Sequence, residues 1–324
     1  MEVRDPLVSV VMPVRNGQRF LDYAIRSVVG QTFPSFELLV IDDFSEDESV
    51  AVARQWVNRD SRVVSVPNRD RGLINALNHG IAIARGGFIA RVDADDICAP
   101  TRFERQIDAL RQSRVAVVGS AARMINVRGQ VIGEIRHPTR PEDIRRALLD
   151  YCCIAHPTTM MRTDVVRALG GYRNAFVHCE DYDLWLRISE HADITNLDEC
   201  LLDYRIHEAQ VTWGSLEQRI LSELGAVAAA KRRQAGLPDL IAAGTVMDRT
   251  AVIELGVPSE VIKDQILLRT YGAAVNAMRL RQYLSARRAL DVLRRQPSVP
   301  VRMHIRCGIL EAQLVARQFF HSFH

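Results

Sequence analysis

The segment Asp93-Ala94-Asp95-Asp96 places three carboxylates within four residues, directly after the apolar run at residues 88–92. In extended backbone, alternate side chains point to the same face, so Asp93 and Asp95 can share one side. Carboxylate oxygens are the ligands that Mg²⁺ prefers, and such a site leaves positions for substrate phosphates. The spacing favours a metal site, although acid pairs of this kind also cap helices or lie solvated in loops.

Two other polar segments follow predicted strands in the same way. The apolar run at residues 8–12 leads into Pro13-Val14-Arg15-Asn16, and the run at 38–41 leads into Asp42-Asp43. Ligands of open parallel sheets bind beyond the carboxyl ends of the strands. We therefore expect the three polar segments to converge on one crevice.

The elements that position these segments alternate between strand and helix patterns. Buried-strand patterns occur at residues 8–12, 38–41, 63–66, 88–92 and 115–118, and helical spacing of apolar residues fills the intervals between them. This order predicts an α/β fold with a mostly parallel sheet flanked by helices. After residue 129 the pattern loosens, with a strand predicted at 158–161 and a helix at 181–188.

Beyond about residue 213 the strand signals fade, and helical patterns occupy residues 216–232, 258–280 and 283–293. We therefore predict a catalytic domain at residues 1–213 and a helical C-terminal domain at 214–324. The stretch 305–320 is amphipathic and basic, which predicts a packed terminal helix, with membrane contact as the alternative.

Composition is that of an ordinary folded protein, with 48% hydrophobic and 25% charged residues. No apolar run is long enough to cross a bilayer, and the N-terminus enters a strand pattern instead of a signal peptide, so we expect a cytoplasmic protein. The six cysteines form no CxxC pair, which is typical of reduced thiols.

The formal charge of +3 is unevenly distributed, because residues 211–324 carry 16 Arg and Lys against 9 Asp and Glu. This basic C-terminal region is a candidate for peripheral contact with an anionic inner membrane face. A solvated arginine-rich helical face explains it equally well. We expect no nucleic-acid partner.

Five blocks of the sequence, in order, resemble glycosyltransferase family 2, the inverting enzymes of GT-A fold. They are PLVSVVMPVRNG, ELLVIDDFSEDES, NRDRGLINALNHGIAIARGGFIARVDADDICAPTRFERQ, GGYRNAFVHCEDYDLWLRI and LLDYRIHEAQVT. The resemblance covers roughly residues 6–213. It implies transfer of a sugar from a nucleotide diphosphate sugar, with a UDP-sugar as the preferred donor, to a hydroxyl acceptor, with Mg²⁺ or Mn²⁺ required.

The resemblance also implies nucleotide contacts at the ends of the first strands. Pro13, Val14 and Arg15, together with Asp43, are similar in position to the family's base and ribose contacts. Arg71 resembles a contact to the diphosphate, which a guanidinium can bind in two places. A surface salt bridge within its own charged run is the alternative for Arg71.

The metal ligands implied by the resemblance lie in the acid segment. Asp95 resembles the main metal ligand and Asp93 a residue that reaches ribose or metal, whereas Asp96 is expected at the entry to a helix. His207 resembles a further metal or diphosphate contact, with a structural role as the alternative. Imidazole is a better ligand for Mn²⁺ than for Mg²⁺.

Asp181 is similar in position to the family's catalytic base. Inversion requires the acceptor hydroxyl to attack the anomeric carbon opposite the leaving diphosphate, so a carboxylate must receive the proton there. Glu180 is the alternative base, although we favour a role in orienting the acceptor or a nearby loop. Asp183 is expected to be a capping or paired acid, and His156 to have a loop-ordering or donor-side role.

Two other functions remain as alternatives. A sugar nucleotidylyltransferase also combines a nucleotide-binding sheet with acidic ligands, but it needs a glycine-rich basic loop, and residues 13–17 contain one glycine and one arginine. A non-catalytic nucleotide-sugar-binding or assembly protein would tolerate loss of Asp93, Asp95 and Asp181, so the presence of all three acids argues against this alternative. The sequence leaves open the sugar, the acceptor, which is a saccharide or a lipid-linked saccharide, and the oligomeric state.

Overall fold

A computed structural model describes residues 5–111, 114–207, 216–279 and 283–294, together with Cys307, Gly308 and Leu310. The chain divides into two compact units. The first comprises Met1–Asn174 and Glu180–Ile206, and the second comprises Ala175–Cys179 and His207–His324. The predicted domain boundary between residues 213 and 214 lies outside the described residues, so that division stays a prediction.

The described part of the first unit contains a nine-stranded sheet. Its strands are β1 (Val8–Val14), β2 (Phe36–Asp42), β3 (Val63–Pro67), β4 (Phe88–Arg91), β5 (Ile97–Cys98), β6 (Val115–Ile125), β7 (Val131–Ile135), β8 (Met160–Arg162) and β9 (Asp193–Arg205). They lie in the order β3-β2-β1-β4-β8-β6-β9-β5, with β7 paired to β6. Strands β3, β2, β1 and β4 are parallel to one another, whereas β8 is antiparallel to both β4 and β6. The sheet is therefore mixed.

Helices pack against this sheet, and those with one apolar face, such as the first of them, turn that face towards the core. They are α1 (Leu21–Val29), α2 (Ser49–Arg59), α3 (Leu73–Ile83), α4 (Arg102–Leu110), α5 (Pro141–Ala147), α6 (Thr163–Ala168) and α7 (Glu180–Ser189), and a short 3₁₀ helix spans His156–Thr158. In α1 the buried residues are Leu21, Ala24, Ile25 and Val28, at the spacing of one helical face. All seven residues of β1 are buried, as expected for a central parallel strand.

The predicted α/β fold class is confirmed, and the early strands and helices lie within a few residues of their predicted positions. The sequence patterns missed β5, β7 and β9. The strand β9 is acidic and many of its residues are only partly buried, so its sequence lacks the apolar period that marks a core strand. It nevertheless pairs with β6 along most of its length.

The described elements of the second unit are helices, namely α8 (Leu216–Gln234), α9 (Arg249–Glu254), α10 (Ser259–Arg279) and α11 (Tyr283–Arg294). The helical patterns predicted at three of these positions are confirmed. Within the described ranges, no helix combines the length and the apolar sequence needed to cross a bilayer. The helix predicted at residues 305–320 lies outside the described residues, apart from the three residues given above.

Candidate active site

The carboxyl ends of β1 and β2 lie side by side at one edge of the sheet. The backbone N–H of Asp43 donates a hydrogen bond to the carbonyl oxygen of Val14 over 2.7 Å. Pro13 and Val14 are the last residues of β1, and Arg15 follows them with an exposed side chain. The structure therefore brings together the four residues predicted to contact the base and ribose.

Hydrogen bonds join the loops that follow β1 and β2. The N–H of Asn16 donates to Ser45 Oγ over 3.0 Å, and Asn16 Oδ1 accepts the N–H of Glu46 over 2.8 Å. Asn16 and Phe44 both have left-handed backbone, with φ of 52° and 58°. That conformation is unfavourable for a bulky residue such as Phe44 and persists only where surrounding contacts impose it. The two loops therefore form a preorganised edge.

Asp43 also fastens the loop that carries Arg71. Its Oδ1 atom accepts a hydrogen bond from Asn68 Nδ2 over 2.9 Å and another from the N–H of Gly72 over 2.8 Å. The guanidinium of Arg71 is 54% exposed and lies 3.8 Å from the highly exposed Glu46 carboxylate. A long, exposed ion pair of this kind is weak, so Arg71 can exchange it for another anion.

The three acids after β4 form a compact cluster. One carboxylate oxygen from each of Asp93, Asp95 and Asp96 lies within 4.8 Å of the others. The buried guanidinium of Arg91, the last residue of β4, forms an ion pair with Asp93. We name these residues, Asp93 to Asp96, the acid turn.

The last residue of β9 holds the acid turn in place. The N–H of Arg205 donates to Asp96 Oδ1, and its Nε donates to the carbonyl oxygen of Asp95, each over 2.8 Å. The Arg205 guanidinium also stacks on the ring of Phe20, 4.5 Å from its centroid. The expectation that Asp96 lies at a helix entry was wrong, because the short strand β5 follows it and α4 begins only at Arg102.

Negative charge accumulates in the acid turn. Burial, together with the charges of Asp93 and Asp95, raises the pKa of the Asp96 carboxyl well above its ordinary value. Burial also raises the pKa of Asp93, with Arg91 opposing the shift and the Asp95 charge adding to it. A divalent cation would relieve this repulsion, and three carboxylates suit Mg²⁺ or Mn²⁺ better than soft metals.

The start of α7 carries the acids predicted to act on the acceptor. Glu180 is buried, and Asp181 is partly exposed, with its Oδ1 accepting the N–H of Tyr182 over 2.8 Å. Burial, followed by the charge of Asp181, raises the pKa of Glu180 to about 7, while Arg91 lowers it and Asp93 raises it further. The start of α7 therefore lies within electrostatic range of the acid turn.

A buried histidine and tyrosine support this region. His156 Nε2 lies 2.7 Å from Tyr172 Oη, and the His156 ring packs edge-on against Trp185. Burial, with the charge of Arg91, lowers the pKa of His156 well below its ordinary value, so the ring is neutral. The side chain of Asn78 bonds both the N–H and the carbonyl of Tyr172, at 2.9 and 2.8 Å. This geometry supports the loop-ordering role for His156.

Asp183 is a paired acid, as predicted. It is completely buried and binds the guanidinium groups of Arg173 and Arg187. Arg187 also donates to the carbonyl oxygens of Leu169 and Gly171, each over 2.7 Å. This ion-pair network joins α7 to the loop that precedes it and fixes the helix that carries Glu180 and Asp181 in its first turn.

Replacing Asp183 by asparagine is expected to lower the free energy of unfolding by about 3–5 kcal/mol, because two buried or half-buried guanidinium groups lose their counterion. Urea denaturation measures the effect. Asp198→Asn is the matched control, since it breaks an exposed ion pair with Arg136 and should cost less than about 1 kcal/mol. Equal effects of the two substitutions would contradict the role given to the buried network.

Glu180 is expected to make stability depend on pH. Its carboxyl titrates near 4.5 in the unfolded chain and at about 7 in the folded chain, so the folded state retains the proton between these values. The stability this confers is present below about 4.5 and is lost as the pH rises through about 7. Relative to Glu180→Gln, the wild type should lose up to about 3 kcal/mol across that interval.

Urea denaturation of both proteins, with a chelator present, checks this dependence on pH. A difference in unfolding free energy that stays constant from acidic to alkaline buffer would show that Glu180 titrates normally in the folded protein.

His207 stands directly after the first unit and belongs to the second. Its side chain is partly exposed. Its contact with a metal or diphosphate stays a prediction.

Sequence reasoning missed Asn78, Arg91, Tyr172 and Arg205 as parts of this site. Arg91 had a local signal, since it is a charged residue at the end of an otherwise apolar strand that runs into the acids. Asn78 and Arg205 had none, because their partners lie 94 and about 110 residues away along the chain.

Comparison with known proteins establishes the class. The sequence model described as glycosyl transferase family 2 matches residues 9–170, which is half of the chain. The protein therefore belongs to glycosyl transferase family 2 and is a glycosyltransferase.

Two curated relatives from Escherichia coli align with more than three fifths of this chain. The O-antigen biosynthesis glycosyltransferase WbnJ is 37% identical over 205 residues, which cover 62% of this chain and 80% of WbnJ. The UDP-Glc:alpha-D-GlcNAc-diphosphoundecaprenol beta-1,3-glucosyltransferase WfgD is 30% identical over 212 residues, which cover 64% of this chain and 80% of WfgD.

Among solved structures, the mannosyltransferase PcManGT from Pyrobaculum calidifontis, in complex with GDP-Man and Mn²⁺, is similar in fold. The TM-score is 0.56 at 16% sequence identity, and the match covers 96% of this chain and 81% of that one. The predicted GT-A type fold with a helical C-terminal part is confirmed.

Proposed function

We propose that this protein is a metal-dependent, inverting glycosyltransferase that moves a sugar from a UDP-sugar to a hydroxyl group of a lipid-linked saccharide. The observation that carries the proposal is the acid turn, in which one carboxylate oxygen from each of Asp93, Asp95 and Asp96 lies within 4.8 Å of the others. A donor diphosphate needs a cation site, and an inverting transfer needs a carboxylate facing it across the sugar. We assign the cation site to the acid turn and the carboxylate to Asp181, which belong to the same unit.

The donor nucleotide is proposed to bind along the ends of β1 and β2. Pro13 and Val14 are buried at the end of β1 and would contact the nucleotide mainly through their backbone, whereas the side chain of Arg15 is exposed. Asp43 is 4% exposed and its Oδ1 accepts hydrogen bonds from Asn68 and Gly72, so its Oδ2 is the atom proposed to accept a hydrogen bond from the base or ribose. Arg71 is held close to Asp43 by the Gly72 hydrogen bond, and its exposed guanidinium can bind a phosphate in two places. Because the edge is preorganised, donor binding requires little rearrangement of the backbone.

Asp95 and Asp93 are the residues proposed to hold Mg²⁺ or Mn²⁺, with His207 as a further ligand. When bound, the cation neutralises negative charge that develops on the departing diphosphate. Arg91 orients the Asp93 carboxylate through their ion pair. Arg205 fixes the backbone of Asp95 and the carboxylate of Asp96, so the cluster is held in place by groups that do not need to reach the substrate.

Asp181 is proposed to accept the proton of the acceptor hydroxyl. The acceptor oxygen then bonds to the anomeric carbon while the bond from that carbon to the UDP oxygen breaks, which inverts the configuration in one displacement. No covalent intermediate on the protein is required. Glu180, whose pKa burial raises to about 7 so that it is largely protonated only below neutral pH, is proposed to orient the acceptor or the neighbouring loop, with a role as the base as the alternative.

The names of the relatives support the choice of donor and acceptor. WfgD uses UDP-Glc and a diphosphoundecaprenol-linked GlcNAc, and WbnJ acts in O-antigen biosynthesis. The alignments cover 64% and 62% of this chain, respectively. We therefore place this protein in the assembly of a cell-surface polysaccharide.

A panel of donors tests the proposal. The purified full-length protein is incubated with UDP-glucose, UDP-galactose, UDP-N-acetylglucosamine or GDP-mannose, in Mn²⁺ or in chelator, and release of the nucleoside diphosphate is followed. We expect turnover of a UDP-sugar that stops in chelator and rises with a diphosphoundecaprenol-linked acceptor. Turnover of GDP-mannose alone, or unaffected turnover in chelator, would refute the donor or the metal assignment, and binding without turnover would indicate a non-catalytic protein.

A further inference from the structure

The segment 235–246, which forms most of the connection between α8 and α9, is unusually apolar for an exposed stretch of chain, and the exposed Asp248 follows it directly before α9. Its sequence is AGLPDLIAAGTV, in which Asp239 is the one charged residue. Leu237, Leu240 and Val246 are 50%, 46% and 69% exposed. Isolated exposed apolar residues are common, but several within one loop indicate an interaction surface. We name these twelve residues the apolar loop.

The apolar loop is ordered by its own hydrogen bonds. The N–H of Leu237 donates to the carbonyl oxygen of Arg232 over 2.9 Å, and the N–H of Ala242 donates to Thr245 Oγ1 over 3.1 Å. The charge of Asp239 is compensated by Arg233 Nη1 at 2.7 Å. Burial of a loop in an apolar medium is costly when its polar groups lack partners, and these contacts reduce that cost.

Both ends of the apolar loop are anchored. At one end, Arg232 Nε donates to the carbonyl oxygen of Pro238 over 3.2 Å, which ties the loop to the end of α8. At the other end, Met247 is completely buried against Gly225 of α8, and its carbonyl accepts a hydrogen bond from Gln218. The apolar side chains are therefore exposed although the loop is fixed to the helix beneath it.

Basic residues adjoin the apolar loop. Lys231 is exposed in the last turn of α8, and Arg232 and Arg233 follow it. A cluster of basic residues beside exposed leucine and valine side chains matches the two features of an anionic bilayer surface, which are negative headgroups and an apolar interior.

We propose that the apolar loop inserts Leu237, Leu240 and Val246 into the headgroup region of an anionic membrane, with Lys231 binding the lipid phosphates. This contact would hold the enzyme at a surface that carries lipid-linked acceptors. The inference does not depend on the donor or the acceptor, because vesicle binding is measured without turnover.

Co-sedimentation of the full-length protein with lipid vesicles tests the proposal. Wild-type protein should bind vesicles of phosphatidylglycerol and phosphatidylethanolamine, and bind phosphatidylcholine vesicles more weakly. The triple variant Leu237→Ser, Leu240→Ser, Val246→Ser should bind the anionic vesicles at least about tenfold more weakly than the wild type, because three apolar side chains no longer insert. Lys231→Gln should weaken binding to the anionic vesicles by about fivefold.

Leu268→Ser is the matched control, since Leu268 is 62% exposed on α10 and lies outside the apolar loop. It should bind vesicles as the wild type does, and circular dichroism should show that every variant is folded. Equal binding by the triple variant and the wild type, or no binding by the wild type to anionic vesicles, overturns the proposal. The proposal is also overturned if the triple variant binds vesicles as the wild type does but differs from it in oligomeric state, because a second copy of the chain would then cover the apolar loop.

Discussion

Replacing Asp181 by asparagine is expected to reduce transfer by about 10²–10⁴-fold, the contribution typical of a positioned general base, while UDP affinity stays unchanged. The amide keeps the size of the side chain and can still accept the N–H of Tyr182, but it cannot take a proton from the acceptor. Release of UDP in the presence of acceptor measures transfer, and calorimetric titration with UDP measures binding.

Asp164→Asn provides the matched control for this experiment. Asp164 lies in the first turn of α6, and its carboxylate accepts the N–H of the next residue over 2.9 Å, as that of Asp181 does in α7. Its substitution therefore makes the same local change at an exposed position and should leave transfer intact. Full transfer by Asp181→Asn would remove the base assignment, and the same loss in Glu180→Gln alone would move it to Glu180.

Replacing Asp95 by alanine is expected to abolish the dependence of UDP binding on Mn²⁺ and to reduce transfer by about 10²-fold or more, since a catalytic cation contributes several kcal/mol to the transition state. The acid turn should keep its shape, because Asp93 remains paired with Arg91 and Asp96 remains bonded to Arg205. Titration with UDP, in Mn²⁺ and in chelator, measures the effect.

Asp108→Ala removes one carboxylate from the exposed surface of α4, where Asp108 pairs with Arg111. It controls for the loss of one negative charge and should retain the wild-type response to metal. An unchanged metal response in Asp95→Ala would take Asp95 out of the metal site and leave Asp93 as the principal candidate.

Much of the candidate site was predictable because strand ends are local features of a sequence. An apolar run that stops at Pro13, Asp42 or Asp93 marks the carboxyl end of a buried strand, and the parallel order of these strands brings their ends to one edge. The acids of α7 were likewise visible as a set that precedes a helical pattern. The role of each residue remains proposed, since position alone does not distinguish a ligand from a neighbour.

The supporting contacts were not predictable, because they join residues that are remote along the chain. Arg205 lies beside the acid turn because β9 pairs with β6, and β9 has no clear strand pattern of its own. Asn78 lies within an ordinary helical pattern, yet its side chain fixes Tyr172 in a distant loop. Such partners are selected by tertiary packing, which local periodicity does not encode.

The hydrogen bonds from Arg205 to the acid turn limit how short a fragment of this protein can be and still be active. The match to the family's sequence model ends at residue 170, before both α7 and β9. A fragment trimmed to residues 9–170 would keep the carboxyl ends of β1 and β2 and the acid turn. It would lose Asp181, the proposed base, and β9, whose Arg205 bonds to the acid turn. An autonomous catalytic fragment must therefore extend at least through Arg205, and shorter pieces should bind metal poorly even where they fold.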